Sequence, residues 1–341
     1  MKILLGIIIA IVFILIALEI YLAAKYPKTK FELRLIGFFY TLFNGFDSME
    51  GLLEYAKKPD KSIPALSGPD NIEISEDEIE GCDKNRIPVF IYRSKDIKPD
   101  AAGLLWIHGG AYAYGAPRRD ERFFKPLAAN TNTVCVVPEY RLSLQAKYPA
   151  AFNDGVSSLI WLKEHAKELG INKDQIFVGG CSAGGGMAAA LALYARNTGL
   201  VNIAFQILIY PMLNDKMDTP SMKGNKELIW NERQSALSWE LYLGDLYKTD
   251  DVDIYAAPSR EKDLSGMPAA YSFTGTLDPV CDETKEYFDL LKKCGVEAEC
   301  DIYEGAYHGF DAVPSKTAKK ARAKLLEKYK YAAENCFAEQ K

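Results

Sequence analysis

The chain opens on an apolar run. No charged residue interrupts the stretch from Ile3 to Leu18; Glu19 follows, and then Ile20-Tyr21-Leu22-Ala23-Ala24. The uncharged run is slightly shorter than the ~20 residues that cross a bilayer, and it reaches that length if Glu19 sits near the interface. A cleaved signal peptide would need small residues three and one before a cut, with a polar, small-residue stretch after it. Neither is present, so residues 1–24 are read as a membrane anchor or uncleaved signal. Residues 31–60 then carry Phe31, Leu33, Leu35, Ile36, Phe38, Phe39, Leu42, Phe43 and Phe46, several at spacings of three or four. That is the pattern of a helix with one very apolar face. It predicts a cap helix lying partly on the membrane surface. Residues 61–81 read as a polar, acidic connector containing Pro64, Gly68, Pro69 and Gly81.

Beyond the connector the pattern alternates. Strand-like runs fall near 88–93, 103–107, 133–138, 175–179, 203–209, 269–274 and 297–303, and helical stretches near 120–130, 152–168, 183–198, 282–294 and 315–336. Such alternation predicts a mostly parallel sheet with helices on both faces, an α/β fold. It lapses between Pro211 and Pro258. There residues 212–228 are polar, and Trp230 to Leu243 look helical and rich in aromatics. This is read as a second cap segment, inserted at about 212–257.

Composition changes little. Nearly half of the 341 residues are apolar, enough for a sizeable core, and the net charge is −5. No basic stripe with interleaved aromatics appears, which argues against nucleic acid as a partner. The seven cysteines are scattered without a Cys-x-x-Cys pair or a Cys/His cluster, so no metal or other cofactor is expected. Lys25, Lys28, Lys30 and Arg34 follow the apolar run, and only Lys2 and the amino group precede it. The positive-inside bias therefore predicts a single-pass protein with its main domain on the cytoplasmic side.

Chemistry enters at Gly180-Cys181-Ser182-Ala183-Gly184, between an apolar run and an Ala-rich one. Strand, sharp turn and helix with serine at the apex expose a hydroxyl at a helix N-terminus. The spacing alone arises by chance, so its weight depends on partners. His108-Gly109-Gly110-Ala111 follows the strand-like Leu104-Leu105-Trp106-Ile107. Bare N–H groups after a strand suit an oxyanion, and Gly109, Gly110 and Ala183 are assigned as its donors. An ordinary tight turn would also account for the two glycines. His308, past a late strand, is the candidate general base. His165 lies in a charged helical stretch, and His108 is read as support for its loop. Asp278, at the end of the run 269–274, is the candidate acid, with Asp282 as runner-up. The order Ser182, Asp278, His308 is that of α/β-hydrolases.

These residues, with Tyr140-Arg141-Leu142, Pro149-Ala150-Ala151, Asp154 and Asp278-Pro279, resemble the hormone-sensitive lipase family of α/β-hydrolase carboxylesterases over roughly residues 85–335. The resemblance implies an α/β-hydrolase fold over residues 82–341 with a helical cap, which includes residues 25–81, and cleavage of short to medium acyl esters. Four positions depart from the family pattern: Ala111 replaces a third glycine, Cys181 an Asp, Glu139 the Asp of Asp-Tyr-Arg, and Ser143-Leu144-Gln145-Ala146 stands for Ala-Pro-Glu-His. Cys181 removes a carboxylate from beside the nucleophile, so local hydrogen bonding must differ. Two rival readings use the same residues: an amidase or peptidase, and a ligand-binding homologue with little catalysis.

Overall fold

A computed structural model describes residues 2–58 and 71–340. The chain runs α1 (Lys2–Lys25), α2 (Phe31–Asn44), α3 (Met49–Ala56), β1 (Ile72–Glu80), β2 (Arg86–Ser94), β3 (Ala101–Ile107), α4 (Glu121–Asn130), β4 (Thr133–Pro138), α5 (Ala150–Glu164), β5 (Ile171–Cys181), α6 (Ala183–Thr198), β6 (Phe205–Ile209), α7 (Glu232–Leu243), β7 (Ala269–Gly275), α8 (Cys281–Lys293), β8 (Ala298–Tyr303) and α9 (Lys316–Asn335). One sheet of eight strands has the order β1-β2-β4-β3-β5-β6-β7-β8. β1 and β2 are antiparallel to their neighbours, and β4 to β8 run parallel. The central strands β3, β4 and β6 are buried along their whole length. Helices covering both faces exclude water from either side, which is why these strands are mostly apolar, with Thr133 and Gln206 the buried exceptions. The turns after β3, β5, β7 and β8 open at the carboxyl ends of the parallel strands, where such sheets bind ligands.

The acidic connector is corrected in part. Residues 72–80 form β1, in register from Ile72 opposite Ser94 to Glu80 opposite Arg86; residues 59–70, with Pro64, Gly68 and Pro69, lie outside the described residues. β1 is an edge strand, and only Ile79 of it is buried. Charges along an edge keep other chains from pairing with it, and they also erase the apolar alternation that marks a strand. Residues 31–60, expected as one helix, form two. Gly45 ends α2, and Ser48 caps α3 by accepting from Gly51 N at 3.0 Å.

The N-terminal helices are tied together. Arg34 of α2 is buried, and its guanidinium donates to Glu19 Oε1 of α1 at 2.6 Å and to Thr29 O at 2.7 Å. α2 in turn is fastened to the β8–α9 side of the domain. The Tyr307 hydroxyl donates to Leu33 O at 2.8 Å, and Glu32 accepts from Lys316 N and Thr317 N at the start of α9. Hydrogen bonding by Thr317 holds the Glu32 carboxyl below the usual carboxylate range, as expected beside a helix N-terminus. Gly37 lies flat on the Tyr307 ring, where an added Cβ would fall 2.5 Å from the hydroxyl oxygen. Gly37→Ala is therefore expected to destabilise the protein by about 1–3 kcal/mol through overpacking. Urea unfolding of the detergent-solubilised protein measures it; an unchanged midpoint would mean that α2 does not rest on Tyr307.

Candidate active site

Ser182 joins β5 to α6 with φ 57° and ψ −122°. A non-glycine residue in this region stores about 1–3 kcal/mol of backbone strain. The surroundings enforce it: a Cβ on Gly184 would stand 2.1 Å from Ile107 O, and one on Gly180 would stand 2.4 Å from Gly184 O. Only glycine at both places lets α6 start this close to β3 and β5. The serine hydroxyl lies 2.9 Å from His308 Nε2, and His308 Nδ1 lies 2.8 Å from Asp278 Oδ2. A carboxylate accepts, so Nδ1 carries the proton and Nε2 is left to accept from the serine. Asp278 is fully buried and takes further bonds from Val280 N at 3.0 Å and Thr274 Oγ1 at 3.3 Å. Asp282, the runner-up, faces elsewhere: it accepts from Ser221 N at 2.8 Å and pairs with Lys285. His165 stacks on Trp161 at its helix end. His108 stacks on Tyr140 and sits 2.8 Å from Gly109 O, bracing the loop after β3.

That loop departs from expectation at one atom. Gly109 N–H donates to Asp120 Oδ2 at 2.9 Å and is not free for an oxyanion. Among the described residues, the N–H groups of Gly110 and Ala111 have no backbone acceptor, and that of Ala183 is the first of α6, where no intrahelical acceptor is available. Gly110, with φ 130°, and Ala111, with φ 56°, form the turn that presents two of them to the cavity beside Ser182.

The carboxylate that holds Gly109 explains Cys181 as well. Asp120 Oδ2 also accepts from Cys181 Sγ at 3.1 Å and from Trp106 Nε1 at 3.3 Å, and Arg122 reaches Oδ1 at 3.3 Å. Arg122 Nε donates to Asp311 Oδ2 at 2.8 Å, and the Tyr210 hydroxyl to Asp311 Oδ1 at 2.6 Å. The Tyr210 ring packs edge-on against His308, 4.6 Å between centroids. Burial raises the Asp120 carboxyl, but Arg122, the Gly109 N–H and the Cys181 thiol outweigh it, and the group lies below the ordinary carboxylate value. Burial and then the Asp120 charge push the Cys181 thiol far up, so it remains a protonated donor. An Asp at 181 would instead set two carboxylates at this contact. Asp120, Arg122, Tyr210 and Asp311 escaped the reading of the sequence. The one signal that pointed to them was Cys181.

The triad opens into a cavity of about 280 Å³ that is lined by Ile36 and Tyr40 of α2, Tyr55 of α3, and Trp230 and Gln234 at the start of α7. A larger hollow of about 590 Å³ between Asp215 and Arg260 shares no residue with the triad, and its walls are charged. Among the described residues no cluster of His, Cys, Asp or Glu is placed to hold a metal ion.

A profile of the α/β hydrolase fold matches residues 104–312. The chain is an α/β-hydrolase of the hormone-sensitive-lipase-like carboxylesterase family. The hydrolase is 28% identical to carboxylesterase NlhH of Mycobacterium tuberculosis, over 80% of this chain and 84% of that protein. It is 29% identical to ethyl acetate hydrolase of Pseudomonas putida, over 67% and 72%. Among solved structures it is similar to a bacterial heroin esterase, with a TM-score of 0.84 and 32% identity, covering 91% of this chain and 99% of that one.

In this hydrolase, Asp120→Ala frees Gly109 N–H, Trp106 Nε1 and the thiol together. Loosening the loop that presents the Gly110 and Ala111 N–H groups beside Ser182 is expected to cut kcat on p-nitrophenyl acetate by about tenfold or more with KM little changed. Cys181→Ala removes one donor and leaves the carboxylate in place, so its loss stays within about fivefold, near the net value of a single hydrogen bond. Equal losses for the two variants would mean that Asp120 does not organise the loop.

Proposed function

We propose that this carboxylic ester hydrolase works through Ser182 as nucleophile, His308 as general base and then acid, and Asp278 as the group that fixes the imidazole. The observation that carries this is the unbroken chain Asp278–His308–Ser182, two hydrogen bonds of 2.8 and 2.9 Å ending in a cavity. His308 Nε2 takes the serine proton as Oγ attacks the ester carbonyl. The Asp278 carboxylate stabilises the imidazolium that results. Gly110, Ala111 and Ala183 supply the N–H groups for the oxyanion, each contributing about 3 kcal/mol to lowering the barrier. His308 returns its proton to the leaving alcohol. Water, deprotonated by the same nitrogen, then releases the acid.

Size favours short acyl groups. The cavity of about 280 Å³ is at the small end of ligand pockets, which run from about 300 to 1,000 Å³. A relative named for ethyl acetate, whose acyl group has two carbons, agrees with this. α2, α3 and the segment around α7 supply the cavity's upper walls and act as the cap. α1, 24 residues long and charge-free from Ile3 to Leu18, is about 36 Å long, enough to cross a hydrocarbon core of about 30 Å. It anchors the enzyme, with the basic residues after it keeping the catalytic domain on the cytoplasmic side.

Hydrolysis of a p-nitrophenyl ester series from acetyl to dodecanoyl by the full chain tests the reading. Turnover is expected to be highest for the shortest acyl groups and to vanish in Ser182→Ala. Asp278→Asn is expected to lose about 10⁴-fold in kcat, the cost of a wrongly held imidazole, while Asp282→Asn stays near the unsubstituted rate. The reverse order would move the acid to Asp282, and turnover that survives Ser182→Ala would remove the serine from the mechanism.

A further inference from the structure

The exposed large apolar side chains of this protein are not scattered evenly. Outside α1 they gather on α2, where Phe31, Ile36, Phe39, Leu42 and Phe43 are 38–74% exposed. At about 100° per residue, these positions fall on one side of the helix. Leu33, Gly37 and Tyr40 fall on the other, against the domain and the cavity. Ile36 belongs to both, since it is 43% exposed and also lines the cavity beside Tyr40. One side of α2 is therefore roof to the active site, the other is bare hydrocarbon, and the rim between them is shared.

Something must cover that face, and the chain itself limits what can. Residues 26–30 join α1 to α2, a reach of about 17 Å at full extension, and the Arg34–Glu19 ion pair shortens the tether further. α2 cannot leave the level at which α1 emerges from a bilayer. Lys25 and Lys28 are exposed at the same junction, suited to anionic headgroups. An amphipathic helix with this makeup lies in the headgroup boundary, its apolar side toward the acyl chains.

We infer that the outward face of α2 is seated in the bilayer that holds α1, and that the cavity draws its ester from that bilayer. The inference rests on the readings of α1 as the anchor and of Ser182 as the nucleophile. The substrate class follows from a size and a place: the cavity is small, and Ile36 on its rim also belongs to the face that is seated in the bilayer. A membrane-resident amphiphile presents its carbonyl and short acyl group to Ser182 while its long apolar alcohol portion stays in the bilayer.

The test holds the acyl group constant and changes only where the alcohol resides. The full chain is reconstituted in vesicles of phosphatidylcholine and phosphatidylglycerol and assayed on p-nitrophenyl acetate from the water and on hexadecyl acetate from the bilayer. Phe31→Glu/Leu42→Glu alters two residues on the bare face, neither of which lines the cavity. It is expected to keep p-nitrophenyl acetate turnover within about twofold and to lose about tenfold or more in kcat/KM on hexadecyl acetate, because carboxylates resist entry among acyl chains. Equal retention on both esters overturns the inference. A parallel loss on both marks a damaged fold, and the unsubstituted chain then decides by photo-crosslinking from a diazirine-bearing phospholipid. Adducts on Phe31, Phe39, Leu42 or Phe43 support the inference. Adducts confined to α1 overturn it. The readings beneath fail differently: no turnover of p-nitrophenyl acetate by the unsubstituted chain removes the esterase, and no adducts on α1 remove the anchor.

Discussion

The loop after β3 and the turn after β5 must meet within bonding distance of one carbonyl, and the backbone makes this possible only by leaving no room between them. Gly184 passes so near Ile107 O and His108 O that a Cβ would stand 2.1 and 2.5 Å from those atoms. This contact fixes where α6 begins, and hence where Ser182 and Ala183 N–H lie relative to Gly110 and Ala111. Interiors packed at crystal-like density do not give by half an ångström without cost, so these three N–H groups hold fixed positions beside the Ser182 hydroxyl. The strain at Ser182 is sustained by the same contact. A turn free to relax would rotate the hydroxyl away from His308.

Around this contact the protein builds a buried polar network instead of an apolar one. Asp120, Arg122, Asp311 and Tyr210 connect the loop after β3 to His308, on which the Tyr210 ring packs. Such a network contributes little net stability, because desolvation of its charges offsets their attraction. Its value lies in direction. Each carboxylate oxygen has its partners assigned, and a displaced loop would leave a buried charge unpaired. That penalty, about 3–5 kcal/mol for a broken buried pair, holds the loop to one conformation better than apolar contacts of equal area. Cys181 fits the scheme because the carboxylate is already supplied from Asp120. A thiol kept protonated by burial is a donor that costs no second charge.

Much of this was legible in the sequence, for reasons particular to each residue. Ser182 and Asp278 follow apolar, strand-like runs, His308 follows the alternating run Ala298 to Tyr303, and the chain has only three histidines. The donor set was less legible. His108-Gly109-Gly110 shows that N–H groups are bare of side chains, but which one is occupied depends on Asp120, eleven residues on in the chain and brought back by the turn before α4. Asp120 and Arg122 sit among Arg118, Arg119 and Glu121, where a run of charges resembles a solvated surface. β1 was hidden by the acidity that protects a sheet edge. The break between α2 and α3 was hidden because aromatic spacing continues across Gly45 to Phe46, which is buried against Trp230 and Tyr55.

The two N-terminal helices, α1 and the cavity roof α2, are one mechanical unit. Arg34 is buried at the root of α2 and neutralised by Glu19 from within the last turns of α1. The charge that interrupts the apolar run is thus the partner of a roof residue. Cutting the chain between the two helices would leave the guanidinium buried without its carboxylate and would also remove Lys30, whose backbone N–H bonds Gly305 O at 3.0 Å near His308. Removing α1 therefore disturbs the cavity roof through Arg34 and Lys30, so altered activity in a truncated protein would report on the roof. The sequence places these helices before the catalytic domain as if they were an appendage. Physically they complete it, since Ile36, Tyr40 and Tyr55 form walls that the domain after residue 71 does not supply.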